Sequence, residues 1–332
     1  MSEKKHVYNR FYTPEKWEQC NKFNKDLIND FLLELKSQGK KKTTIDQYFN
    51  DLRIICIYIL DELDNKPFYK LKKRDFRNLV LFFKEKGMSN ARANRLMSAV
   101  RSCLEYASNE DDYADDLEIN YAGKVKGLPK EEVRDIVFLE MEEIEALYNL
   151  LIEQGEYQDA LLLALGIDSA ARRNELFQIE KDSITEDGNF TNFVIGKRGK
   201  KFRLMYHDMT KKAYKLYMEQ RGDDDIKELW TITEKGVKRP ASYDALYSWV
   251  ISWRKMLVEL GFEYKEFNAH SLRHSALELL STGDHYLAKK MGKKFELNEL
   301  MLLANHSDIS TTNGYLKDKS EDELLNAFGL GN

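Results

Sequence analysis

Residues 302–316 read LLANHSDISTTNGYL, and how this stretch is understood decides the reading of the whole chain. Apolar spacing over Glu296 to Ala304 predicts a helix that ends just ahead of its polar half. His306 follows that helix, and Tyr315 stands nine residues further on, with Asp308, Ser310, Thr311 and Thr312 between them as capping and short-helix material. Taken alone, Tyr315 is one of 18 tyrosines and reads as packing. Its meaning depends on what else the chain carries.

Three earlier stretches hold basic residues in suggestive places. In AHSLRHS, residues 269–275, His270 and Arg273 sit three apart on a predicted helix and share a face, as two ligands of one phosphate should. By itself such a pair is as readily a chance surface feature. In SAARRNEL, residues 169–176, Arg172 follows an apolar helix and Glu175 lies on its helical face, where a carboxylate could hold the guanidinium. A routine surface pair is the plainer alternative. In NFVIGKRGKKFRL, residues 192–204, apolar and aromatic runs flank a Gly and Lys turn, which predicts a β-hairpin. Lys197 opens that turn, and Gly196 and Gly199 permit a tight loop able to swing an ammonium toward a ligand. A merely solvated basic turn is the competing reading. No Gly-rich nucleotide loop, His-Glu-x-x-His pair or nucleophile elbow is present, so neither a cofactor nor a metal is expected.

Around these stretches the pattern is mainly α with a small β-sheet. Helices are predicted at Thr210 to Glu219, Ser242 to Leu260, Ala269 to Leu280 and Glu296 to Ala304. The front of the chain predicts a four-helix bundle. Phe23, Leu27, Ile28, Phe31, Leu32 and Leu35 form the first stripe, closed by Gly39, and Thr43 or Thr44 would cap the second helix. The third runs from about Lys73 to Lys86 and stops at Gly87. Ser89 would cap the fourth, whose buried stripe holds Leu96, Met97, Val100, Leu104 and Ala107. An acidic tract, Glu110 to Glu118, and then YAGKVKGLPKEE read as an exposed connector. The expected organisation is therefore a helical domain at 1–118, a linker at 119–135 and a second domain at 136–332 with a tail at 316–332.

Length and composition fit this division. At 332 residues the chain is long enough for two domains, and 42% apolar with 33% charged residues suits globular folding. The longest apolar runs fall short of the roughly 18 to 20 residues of a membrane helix. The start MSEKKHVYNR lacks the apolar core of a secretory signal, so a cytoplasmic location is expected. Cys20, Cys56 and Cys103 are odd in number and lie in apolar surroundings, which suits reduced core thiols. The net charge of −4 hides an asymmetry: residues 1–104 hold 22 Lys and Arg against 13 Asp and Glu, a balance of +9, leaving −13 for the remainder. A basic helical module suggests a polyanion partner.

Taken together, SAARRNEL, NFVIGKRGKKFRL, AHSLRHS and LLANHSDISTTNGYL resemble, in order and spacing, the catalytic boxes of the tyrosine recombinases, the family of phage integrases and Xer-type resolvases. By motif the resemblance spans roughly residues 136–320. In front it rests on architecture, a basic four-helix bundle where the family carries its core-binding domain. The last box is the most specific, because His306 and Tyr315 keep the family's nine-residue separation and ISTT matches its usual wording. Ala170 and Asn305 stand where the family usually has Gly, and Gly314 before Tyr315 is also less usual.

The resemblance implies cleavage of a DNA strand through a 3′-phosphotyrosyl bond, then religation to a partner strand, with no cofactor. Tyr315 would be the nucleophile, and because a phenol ordinarily loses its proton near pH 10 it needs help from its neighbours. Arg172 and Arg273 would clamp the non-bridging oxygens, His270 would accept a proton, His306 would donate a hydrogen bond to phosphate and Lys197 would protonate the departing 5′-oxygen. Glu175 would support Arg172. Lys40, Lys41, Lys42, Arg92 and Arg95 are the expected DNA contacts of the bundle. The implied partner is double-stranded DNA with an inverted-repeat core site, bound by self-association into a synaptic tetramer. Leu324, Leu325 and Phe328 give the tail an apolar face for docking on a neighbouring subunit or on its own domain. A type IB topoisomerase and an integrase-derived regulator without activity are the alternatives. The regulator would require a broken box, yet all six catalytic positions are filled.

Overall fold

The computed structural model describes residues 11–129, 136–306, 312, 315 and 316, with Arg198 as backbone only. The chain divides into two compact units, Met1–Asp135 and Ile136–Asn332.

The first unit holds helices α1 Pro14–Gln19, α2 Lys22–Ser37, α3 Lys42–Glu62, α4 Lys73–Glu85 and α5 Asn90–Ala107. The last four are the predicted bundle, and α1 adds a short turn begun by Pro14. Asn21 and Ser89 cap α2 and α5 by accepting from Phe23 and Arg92 backbone N–H groups. Thr43 and Thr44 do not cap α3. Gly39 and Lys40 donate back to Lys36 and Leu35 carbonyls and close the preceding helix so tightly that α3 starts at Lys42, leaving both hydroxyls inside its first turn. Leu27, Ile28, Leu52, Ile55, Phe76, Leu79, Leu96 and Val100 fill the core with all three cysteines, which are free. Burial raises the Cys20 thiol to about 11.

The described part of the expected linker is not an exposed connector. Ala122 and Val125 are buried in the first core, and Arg101 donates to both their carbonyls. Asn94 exchanges two bonds with Leu128 and Asn90 donates to the Pro129 carbonyl. Polar side chains of α5 thus bind the backbone at Ala122, Val125, Leu128 and Pro129, through contacts that leave no periodic signal in the sequence.

The second unit is built around α7, Tyr157–Ser169, whose residues from Ala160 to Ser169 are all buried. Its neighbours are α6 Met141–Glu153, α9 Asp208–Arg221 and α11 Ala269–Thr282. A Cβ on Gly166 would stand 3.3 Å from Leu272 Cδ1, so glycine lets α11 approach α7 closely, one residue before Arg273. The four-residue helix α8, Arg173–Leu176, follows α7. Strands β1 Phe190–Ile195 and β2 Lys201–Met205 form the predicted antiparallel hairpin, with Ile195 opposite Lys201. A second hairpin, β3 Thr231–Glu234 with β4 Val237–Pro240, occupies what reads as a polar loop. Lys235 and Gly236, at φ +50° and +80°, make its two-residue turn. Helices α10 Tyr243–Glu259, α12 Tyr286–Met291 and α13 Leu297–Leu303 complete the unit. Among the described residues no helix is long and apolar enough to cross a membrane.

Candidate active site

The site begins where α7 ends. Ala170 takes a left-handed conformation, φ +48°, and turns the chain so that Arg172 becomes the N-cap of α8. Glu175, at the third helical position, accepts from the Arg172 backbone N–H at 2.8 Å and from Arg172 Nη1 at 3.0 Å. Glu175 is buried while the Arg172 side chain is about a quarter exposed at 27%. A fixed carboxylate therefore holds a guanidinium that still reaches solvent.

Arg273 enters from α11 and is only 1% exposed. Its Nη1 donates to the Ala170 carbonyl at 2.5 Å, and its Nη2 donates to the Ala304 carbonyl at 2.7 Å and to His306 Nε2 at 2.5 Å. Glu175 lies 4.0 Å from Nη1, and Arg273 Nε is buried without a partner among the described residues. Burial, followed by repulsion from Arg172, lowers the Arg273 pKa to about 10, which leaves it cationic at neutral pH. The left-handed turn at Ala170 thus does two things: it sets the direction of Arg172 and aims a carbonyl at Arg273.

His306 follows Asn305, whose φ of +52° gives a second left-handed turn. Both turns sit where the tyrosine recombinase pattern has glycine, which explains that preference. Burial and the charges of Arg273 and Arg172 lower His306 to about 4, so its ring is neutral at pH 7. Arg273 can only donate, so Nε2 must accept and the proton is assigned to Nδ1, which then donates to Thr312 Oγ1 at 2.8 Å. In this arrangement His306 has no N–H left for phosphate. The donor role expected of it requires Arg273 to turn away and the ring proton to move from Nδ1 to Nε2.

Tyr315 lies among these groups. Its ring centroid is 5.2 Å from that of His270, 5.1 Å from His306 and 5.0 Å from Arg273 Cζ. His270, at the exposed start of α11, has its pKa lowered to about 4 by partial withdrawal from solvent, then by His274 and Arg273. Three separated stretches of sequence thus bring together Arg172, Glu175, His270, Arg273, His306 and Tyr315. The set offers two cations for an anionic ligand, neutral imidazoles able to accept a proton, and a phenol.

Lys197 is not in that cluster. It stands exposed in the hairpin turn, without a hydrogen bond or ion pair among the described residues. Lys200, beyond the same turn, is near enough for its charge to act on His306. Two groups escaped the sequence reading. Thr312 appears there only as capping material, and His274, one residue after Arg273, donates from Nδ1 to the Tyr315 carbonyl at 3.1 Å.

In the first unit, Lys40 and Lys41 are exposed between α2 and α3, and Lys42 is exposed as the first residue of α3. Arg92 and Arg95 are tied instead to buried Asp51, at 2.6 and 3.1 Å, and Gln47 donates to the same carboxylate at 2.9 Å.

The sequence model of the phage integrase family matches residues 137–322. The SPbeta prophage-derived recombinase-like protein YomM of Bacillus subtilis (strain 168) is 26% identical over 314 residues, 90% of this chain and 89% of that one. Tyrosine recombinase XerC of Caldanaerobacter subterraneus subsp. tengcongensis is 25% identical over 291 residues, covering 87% and 75%. Among solved structures, a lambda integrase dimer bound to a COC′ core site superposes with a TM-score of 0.66 at 16% identity, covering 89% of this chain and 77% of that one. The XerH recombinase in its post-cleavage complex with a palindromic difH substrate gives 0.62 at 17% identity, covering 89% and 82%. These structural likenesses establish a shared fold.

Proposed function

The chain belongs to the phage integrase family, and from that premise we propose how its residues divide the work. It is a site-specific DNA recombinase, a tyrosine enzyme that breaks and rejoins DNA strands. Tyr315 Oη attacks the scissile phosphorus, forming a 3′-phosphotyrosyl bond as the bond to the 5′-oxygen breaks. His270 takes the phenolic proton, and a hairpin-turn lysine, assigned as Lys197, gives a proton to the departing oxygen. Religation runs the same steps backward with the 5′-hydroxyl of a partner strand. One phosphodiester replaces another, so no nucleoside triphosphate is consumed.

Arg172 and Arg273 bind the non-bridging oxygens and stabilise charge gathering on phosphorus. Glu175 is a positioning residue for Arg172. When phosphate draws Arg273 off, His306 Nε2 is released, and once the ring proton moves from Nδ1 to Nε2 it can donate to the same anion. The observation that carries this reading is the gathering of Arg172, His270, Arg273 and His306 about Tyr315 from three separate stretches.

DNA is the partner, and assembly as a tetramer fits a reaction that exchanges strands between two duplexes. We assign the recognised site as an inverted-repeat core, the bundle contacts to Lys40, Lys41, Lys42, Arg92 and Arg95, and the place of action to the cytoplasm. The tail at 316–332, proposed to pass between subunits, lies outside the described residues apart from Leu316. Covalent capture tests the reading. Protein incubated with nicked fragments of its source genome and quenched in denaturant should carry DNA from a few inverted-repeat loci, and Tyr315→Phe should carry none. Scattered linkage would indicate a topoisomerase, and DNA binding without linkage a regulator.

A further inference from the structure

The geometry points to a residue that the reaction scheme leaves out: we propose that His274 is a positioning residue that holds Tyr315 by its backbone carbonyl and ring face, so that the hydroxyl is presented for attack. The inference rests on Tyr315 being the nucleophile. His274 Nδ1 lies 3.1 Å from the Tyr315 carbonyl oxygen, and the two rings stack with centroids 4.4 Å apart and planes 28° apart. Neither His270 nor His306 combines these two contacts. His270 meets Tyr315 with its ring inclined at 63°, and His306 lies further off at 5.1 Å and spends both nitrogens on Arg273 and Thr312.

The two contacts act on opposite ends of the tyrosine Cα–Cβ bond. The N–H···O bond fixes the backbone, and the stack fixes the ring plane and hence the direction of the hydroxyl. The imidazole is itself braced, with Phe138 edge-on at 5.9 Å and His270 edge-on at 4.9 Å. It rides on α11 beside Arg273, so the group that orients the nucleophile and a cation that binds its target share one rigid element. An attacking oxygen held in line and in reach avoids much of the entropic barrier to reaction.

A positioning role has a signature that a structural or proton-transfer role lacks. Free Tyr315 must be oriented before attack, but once bonded to phosphorus it is held by the DNA. Loss of His274 should therefore slow cleavage and leave religation alone. The test uses full-length protein and a nicked duplex carrying a site recovered by covalent capture, with single-turnover cleavage, religation from the isolated covalent complex, DNA affinity and thermal midpoint measured for each variant. His274→Phe keeps a stacking ring and loses the donor, whereas His274→Asn keeps a donor and loses the ring. Cleavage about tenfold slower in each, with religation within about twofold of wild type, is the expected result. The cleavage equilibrium should then shift toward intact DNA by the same factor. Equal slowing of both steps, or unchanged cleavage in both variants, overturns the proposal. Wild-type protein that forms no covalent complex would instead remove the reading of Tyr315 on which the proposal stands.

Discussion

Arg273 donates from Nη2 to Nε2 of His306 across 2.5 Å, and this contact dictates which nitrogen of the histidine carries its proton. A guanidinium has no acceptor, so the neutral imidazole must keep its hydrogen on Nδ1, facing Thr312 Oγ1. The buried threonine is thereby a third partner in how Arg273 is held ready for phosphate.

Thr312→Val should expose that dependence, since it keeps the shape and removes the acceptor. The buried N–H left unpaired costs about 1–2 kcal/mol, which favours the other tautomer and breaks the contact with Arg273. Single-turnover cleavage is expected to fall about tenfold, while affinity for the recombination site stays within about twofold. An unchanged rate would mean that the tautomer of His306 has no bearing on the reaction.

Ala170→Gly should stabilise the protein. The left-handed backbone at φ +48° sets Cβ against the following carbonyl, at roughly 1–2 kcal/mol for a non-glycine residue, partly offset by glycine's greater freedom when unfolded. A net gain of about 1 kcal/mol is expected, read as a rise of a few degrees in the midpoint of thermal unfolding. A fall would show that the buried methyl group contributes more than the strain removes.

The four reactive stretches were legible because each is local: a helix end, a turn or a three-residue helical spacing. What joins them was not. The bond from Arg273 to the Ala170 carbonyl spans 103 positions, and that from His274 to Tyr315 spans 41, so neither leaves a periodic signal. Arg92 and Arg95 read as free DNA contacts because Asp51, their anchor, lies a helix away in α3. The β3–β4 hairpin escaped because VKRP lacks the alternation that marks a strand, whereas the longer β1–β2 hairpin has it. The departures from glycine at Ala170 and Asn305 were visible in the sequence, but only the backbone angles gave them a physical meaning.

Acid should unfold the protein through its buried histidines. His285 is fully buried, its Nδ1 accepts from the Leu287 backbone N–H, and burial lowers its pKa to about 4. The unfolded chain takes up that proton near pH 6.5 and the folded chain does not, so stability is fully present above 6.5 and is lost as pH falls toward 4. Between pH 7 and 5 the loss is about 2 kcal/mol for this residue. His285→Asn retains a good capping oxygen without the titration, and its thermal midpoint should fall less steeply over that range. Parallel slopes for the two proteins would assign the acid sensitivity elsewhere.

The general acid can be located by changing its leaving group. Lys197 is exposed in the hairpin turn, while Lys200 is the turn lysine whose charge reaches His306. If Lys197 gives up the proton, Lys197→Ala should cleave ordinary DNA at least about a hundredfold slower and recover on a 5′-phosphorothiolate, whose sulfur departs without protonation. Lys200→Ala should then cleave both substrates at closely similar rates. The reverse pattern would move the role to Lys200.

Asp51 offers a way to separate affinity from discrimination in the first unit. Its buried carboxylate holds Arg92, Arg95 and Gln47 in one arrangement, and burial raises its pKa despite the arginines. Side chains that are fixed before binding can be matched to particular base edges, whereas loose arginines find any phosphate. Asp51→Asn keeps the shape, removes one negative charge and lets both guanidiniums swing free. Binding to random duplex should therefore tighten a few-fold at low salt, with the dependence on salt steepened by about one phosphate contact. Binding to the captured site should gain less, so the ratio of specific to random affinity falls. Measured by fluorescence anisotropy across a salt series, an unchanged ratio would reduce Arg92 and Arg95 to structural partners of Asp51 and leave Lys40, Lys41 and Lys42 as the bundle's DNA contacts.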